Sequence, residues 1–153
     1  MSKKAQIRHK LEIQELVARF ADLVNRKAMN EMHHLFTPDA VLDIPGFSQH
    51  IVGRDNIITF LTDILSLWSG IVQAVHSGTV ELVSDTHPQR ATGRWYLSEF
   101  GVKEGVDTYA GGVYSDDYVR TASGYRFTRR RFDLLYLRAG ASVTAQPFPS
   151  DLP

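Results

Sequence analysis

The chain has 153 residues, 43% of them apolar and 22% charged, which suits one globular domain able to bury its own core. Seventeen basic residues balance seventeen acidic ones, so the basic excess used by nucleic-acid binders is missing. Cysteine is absent, which excludes disulfides, a thiol nucleophile, zinc thiolates and iron–sulfur ligation.

The charged opening MSKKAQIRHKLEIQEL has no signal-peptide core, and no window approaches the ~18 apolar residues of a membrane span. A cytoplasmic protein with no membrane partner is expected. From Ala5 to about Asn25, Ile13, Leu16, Val17, Phe20, Leu23 and Val24 form one apolar stripe, which predicts a helix. Met29 to Phe36 reads as a second, shorter helix, ended by Thr37-Pro38-Asp39. Val41 to Pro45 is a short strand, with a minor one at His50 to Val52. Asp55 is placed to cap a third helix reaching Trp68, whose apolar face is Ile57, Phe60, Leu61, Ile64 and Leu67.

After Trp68 the period changes from 3.6 to 2. Four strands are expected, Val72–Ser84, Arg90–Val102, Thr108–Arg120 and Gly124–Tyr136. They are joined by turns at Asp85-Thr86-His87-Pro88, Lys103-Glu104-Gly105 and Thr121-Ala122-Ser123. Short connections favour an antiparallel meander curling over the helices. Residues 1–138 thus read as a single α+β domain and residues 139–153 as an irregular tail. A curved sheet closed by helices encloses a cone, a common place for a small-molecule site.

Ionisable side chains on apolar faces are the candidates for chemistry. Alternation puts His76 in one row with Val72, Ala74, Gly78, Val80 and Leu82, where an imidazole could carry a proton or simply pack. Glu99 ends the row Ala91, Gly93, Trp95, Leu97, and a carboxylate there must be paired, protonated or set in a polar cavity. If the two strands pair, His76 and Glu99 share one cavity, in the absence of a one-residue slip. Arg129-Arg130-Arg131 cannot all face one way, so one or two point inward toward an anion, or the run is a solvated edge. Tyr109, Tyr114 and Tyr118 could supply hydroxyls. The six His are scattered without HExxH spacing, and neighbours His33 and His34 diverge by roughly 100° on a helix. No metal site and no cofactor are expected. Gly111-Gly112 follows no phosphate-binding pattern and reads as a bend in the sheet.

The segments FADLVNRK, LFTPDAVLDIPG, AVHSGTVELVSD, ATGRWYLSEF and GGVYSDDYVRTASGYRFTRR, in this order, resemble the SnoaL-like branch of the nuclear transport factor 2-like superfamily. The likeness runs from about Ile13 to Leu137. It implies a cone-shaped α+β barrel, a homotrimer or homodimer, and a hydrophobic pocket between helices and sheet. Similar by motif are scytalone dehydratase, bile acid 7α-dehydratase and the hexachlorocyclohexane dehydrochlorinase, which remove a proton to eliminate water or HCl. Their catalytic histidine matches His76, a carboxylate of the bile acid enzyme matches Glu99 and a last-strand arginine of the dehydrochlorinase matches Arg130. Asn25 stands where they carry an aspartate, and Phe20 where the bile acid enzyme has a tyrosine.

The resemblance and the residues together suggest a cofactor-independent lyase or isomerase acting on a small hydrophobic cyclic compound, hydroxylated or enolisable. His76 would be general acid or base, Glu99 its charge partner, Arg130 and Tyr114 the oxygen ligands, and Asn25 an orienting group. Phe20, Leu42, Phe60, Trp68 and Trp95 would wall the pocket. The alternatives are a non-catalytic small-molecule-binding or accessory subunit with the same pocket, and a structural oligomerisation module.

Overall fold

The computed structural model describes residues 1–84 and 86–152. Helix α1 (Lys3–Arg26) starts at Ser2, whose side chain accepts a hydrogen bond from the Ala5 amide, and stops where Lys27 turns left-handed. A 3-10 stretch, Met29–Leu35, follows. Strand β1 (Phe36–Ile44) takes in Thr37, Pro38 and Asp39, expected to end the preceding helix, and β2 (Gln49–Val52) pairs back on it. Helix α2 (Arg54–Ser66) begins after Gly53, so Asp55 lies in its first turn and is not its cap. Then come β3 (Trp68–Leu82), β4 (Arg90–Lys103), β5 (Val106–Thr121) and β6 (Gly124–Ala139). Asp85, read as the start of a turn, lies outside the described residues.

These strands make one sheet in the order β2-β1-β6-β5-β4-β3. The four long strands form the expected meander, with N-terminal helices packed on a strongly curved, mostly antiparallel sheet. The pattern did not foretell that β1 joins β6 in parallel. The tail is also less irregular than expected. Ser142–Ala145 forms β7 and pairs with the end of β6, because its backbone completes hydrogen bonds that β6 would otherwise leave open.

Curvature comes from bulges and from glycines beneath aromatic rings. The register slips between Val75 and Gly78, between Gly111 and Gly112, and between Asp117 and Tyr118. A Cβ on Gly78 would lie 2.1 Å from Trp95 Cε3, and one on Gly112 would lie 2.3 Å from Phe132 Cε2. The core between helices and sheet is filled by Ile13, Val17, Phe20, Phe36, Tyr118 and Phe127, all with at most 2% exposure. Burying a side chain of that size contributes about 1.5–3 kcal/mol, so this packing anchors the fold. No described helix is long and apolar enough to cross a membrane.

Candidate active site

The bulge in β3 decides which side chains enter the cone. Two residues, His76 and Ser77, oppose the single residue Tyr96, between the pairs Val75–Leu97 and Gly78–Trp95. The inward row is therefore Ile71, Gln73 and Val75, resuming at Val80 after the slip. Ile71, Gln73 and Val80 are buried, while Val72 is 44% exposed. His76 does not share a cavity with Glu99. It is exposed on the convex side, with Nε2 2.7 Å from the Ser98 hydroxyl. The simple alternation of the sequence assigned it to the wrong face because a bulge shifts the phase by one residue.

Gln73 occupies the inward position, and nothing in the sequence singled it out. It is 3% exposed and lies opposite Glu99 in the ladder. Its Nε2 donates to Glu99 Oε1 at 2.6 Å and to the Tyr114 hydroxyl at 3.1 Å. The inward row of β4 is as expected, with Ala91, Trp95 and Leu97 buried. At its end the Glu99 carboxyl is enclosed, although the residue keeps part of its surface. Burial pushes this carboxyl above the ordinary carboxylate range, against opposing pulls from the Gln73 hydrogen bond and the Lys103 charge. Tyr114 is raised far above a free phenol, chiefly by burial, so its hydroxyl keeps its proton.

Asn25 sits at the end of α1 against the outer edge of β3, which has no further strand beside it among the described residues. Its Nδ2 donates to the Gln73 carbonyl at 3.0 Å, and its Oδ1 accepts from the Gln73 amide at 2.5 Å. The side-chain amide thus completes the ladder that a neighbouring strand would have formed. Lys27 donates likewise to the Trp68 carbonyl. Asn25 bonds to Gln73 and His76 to Ser98, and no hydrogen bond joins the two. It fixes the backbone of Gln73.

Of the three consecutive arginines, Arg130 alone points inward, with 0% exposure. Its guanidinium carbon lies 3.5 Å from the Tyr114 ring centre, 4.3 Å from that of Phe20 and 4.5 Å from that of Phe127. Its Nε is 3.1 Å from Asp116 Oδ1, and its Nη2 donates to Oδ2 at 3.3 Å. Tyr118 donates to the same carboxylate at 2.8 Å and accepts from Trp95 Nε1 at 2.9 Å. Burial lifts Asp116 to about 6 despite the Arg130 charge beside it. Arg130 is thus caged by three rings and paired with Asp116, while its Nη1 is buried without a hydrogen-bond partner. Arg129 turns outward to Asp43, and Arg131 to Asp133 and Asp151.

The expected wall residues divide. Phe20, Leu42, Trp68 and Trp95 are buried in the core. Phe60 stays half-exposed, as do the inward-facing Val75, Phe132 and Leu134. One polar relay therefore runs from Asn25 through Gln73 to Glu99 and Tyr114, with the Arg130–Asp116 pair beneath. Among the described residues no three His, Asp or Glu side chains converge as a metal would require.

Comparison with known proteins agrees with this architecture. The SnoaL-like domain matches residues 5–131. An uncharacterized protein of Mycobacterium tuberculosis is 28% identical over 127 residues, 82% of this chain and 85% of the relative. A solved structure from Novosphingobium aromaticivorans, provisionally named a scytalone dehydratase, superposes with a TM-score of 0.80 at 19% identity, covering 95% of this chain and 97% of that one. A hexachlorocyclohexane dehydrochlorinase from Novosphingobium barchaimii gives a TM-score of 0.76 at 15% identity, covering 95% and 99%. At these identities the likeness is one of fold.

Proposed function

Because the chain belongs to the SnoaL-like domain family, we propose that it is a cofactor-independent lyase or isomerase acting on a small hydrophobic cyclic ketone. Glu99 is the proton carrier in this reading, in the place first assigned to His76. The observation that carries it is an enclosed carboxyl, raised by burial, one amide away from a neutral phenol. A carboxyl shifted upward is better matched to proton transfer near neutral pH than an ordinary one.

The Glu99 carboxylate takes a proton from the carbon beside the substrate carbonyl. Tyr114 donates a hydrogen bond to the carbonyl oxygen as negative charge gathers there. Protonated Glu99 then returns the proton, either to another carbon, which isomerises the ring, or to a departing hydroxyl, which leaves as water. Gln73 holds Glu99 and Tyr114 at their separation, and Asn25 holds Gln73. Arg130 acts on Tyr114 through its ring face and does not touch substrate. Phe60, Val75, Phe132 and Leu134 supply the apolar wall.

A second reading is a non-catalytic binding or accessory subunit. Its support is that Asn25 spends both polar atoms on backbone while His76 stands outside, so the aspartate–histidine pair of the acid–base relatives has no counterpart in the cone. Incubation in heavy water with a panel of cyclic ketones tests both. Deuterium uptake in the native protein, lost in Glu99→Gln, supports the enzyme. Ligands that raise the melting temperature without exchanging any hydrogen support the binder.

A further inference from the structure

Resting on the proton-transfer reading above, we propose that the cone selects a cyclic ketone bearing a hydroxyl on the carbon next to its carbonyl. Gln73 reads that hydroxyl, and Tyr114 reads the carbonyl.

The Gln73 side-chain amide is held in one orientation. Both of its N–H bonds are used, one on Glu99 Oε1 at 2.6 Å and one on the Tyr114 hydroxyl at 3.1 Å. Gln73 Oε1, in a side chain only 3% exposed, is buried and has no hydrogen-bond partner. Turning the amide over would set its oxygen against the Glu99 carboxylate, and the Asn25 contacts keep the backbone from rotating to relieve the oxygen. A buried acceptor without a donor is costly, and such groups in native proteins call for an explanation. A bound hydroxyl supplies what this one lacks.

The neighbouring groups fix the rest of the pattern. Tyr114 uses its oxygen as acceptor for Gln73, so its own hydrogen is free to reach a ligand. The site therefore presents an acceptor on Gln73 and a donor on Tyr114, side chains joined by one hydrogen bond, so that oxygens on adjacent carbons of one ligand can engage both. A hydroxyl meets the Gln73 oxygen, and the adjacent carbonyl meets the Tyr114 hydrogen. A fluorine or ether oxygen at the first position would set lone pair against lone pair. A methyl group would leave the acceptor buried and bare. Discrimination of this kind is sharp because the wrong ligand strands a desolvated polar group.

The test uses the intact chain and three indanones of similar size, carrying an α-hydroxyl, an α-methyl or an α-fluoro group, with affinities from isothermal titration calorimetry. The hydroxyketone should bind roughly tenfold tighter than either analogue. Gln73→Met should remove that preference, so that the hydroxyketone binds no tighter than the methyl ketone. Equal affinities in the native protein, or a preference for the fluoroketone, overturn this inference and leave the proton-transfer reading standing. Failure of all three to bind overturns both. Should Gln73→Met not fold, the ranking by the native protein still decides.

Discussion

Replacing Asn25 by aspartate separates two accounts of this position. As one member of an aspartate–histidine pair, the new carboxylate would complete a catalytic unit and raise activity. As a clamp on the β3 edge, it must do harm. The carboxylate can still accept from the Gln73 amide, but its other oxygen replaces a donor 3.0 Å from the Gln73 carbonyl. One hydrogen bond is lost and two acceptors are pressed together, in a residue that water partly reaches. The cost is about 1–2 kcal/mol, or a fall in melting temperature of roughly 2–8 °C for a chain of this size. The clamp also holds the amide that aligns Glu99 with Tyr114, so deuterium exchange should slow as well. Thermal unfolding by circular dichroism and exchange by mass spectrometry read the two effects. An unchanged melting temperature together with faster exchange would refute the clamp and restore the pairing with His76.

Three further outcomes follow from the same geometry. Arg130→Ala removes the partner of a fully buried Asp116 and should cost about 3–5 kcal/mol in urea unfolding, whereas a change under about 1 kcal/mol would mean that the pair is not buried in solution. His76→Ala, on the exposed convex face, should alter stability by less than about 0.5 kcal/mol and leave exchange at the native rate; a loss of exchange would return the histidine to the site. Glu99 has a folded pKa raised above its unfolded value, so its contribution to stability is full in acid and is lost as pH rises through the folded pKa. Glu99→Gln should therefore gain melting temperature relative to the native protein at pH ~8 but not at pH ~4, and a pH-independent difference would show that the carboxyl is not enclosed.

Much of the architecture was legible because it follows from periodicity. The 3.6-residue stripe of α1 and the alternation in β4 named Phe20, Trp95 and Leu97 as inward, and all three are buried. Strand geometry also left one or two of the three arginines to turn inward, and Arg130 is the one that does. Period alone carries no record of a bulge. The slip at His76–Ser77 reversed the first half of β3 and exchanged an expected histidine for Gln73. Gln73 was invisible because an uncharged amide on a strand carries no signal until its partners are known. The parallel joint of β1 with β6 was equally hidden, since it links strands some ninety residues apart, 36–44 and 124–139. Asn25 was legible as a position but not as a role. The sequence shows that an amide replaces an acid there, and only the edge of β3 shows why both ends of that amide are needed.

Proton transfer in the cone requires Glu99 to be an enclosed carboxyl with a raised pKa, and a carbon-13 NMR titration of that carboxyl measures this property itself. Its midpoint should lie above the ordinary carboxylate range. The midpoint should rise further in Gln73→Met, which removes the hydrogen bond that favours the charged form, and the titrating signal should vanish in Glu99→Gln. A midpoint at or below the value of a free glutamate would contradict the assignment of Glu99 as the proton carrier.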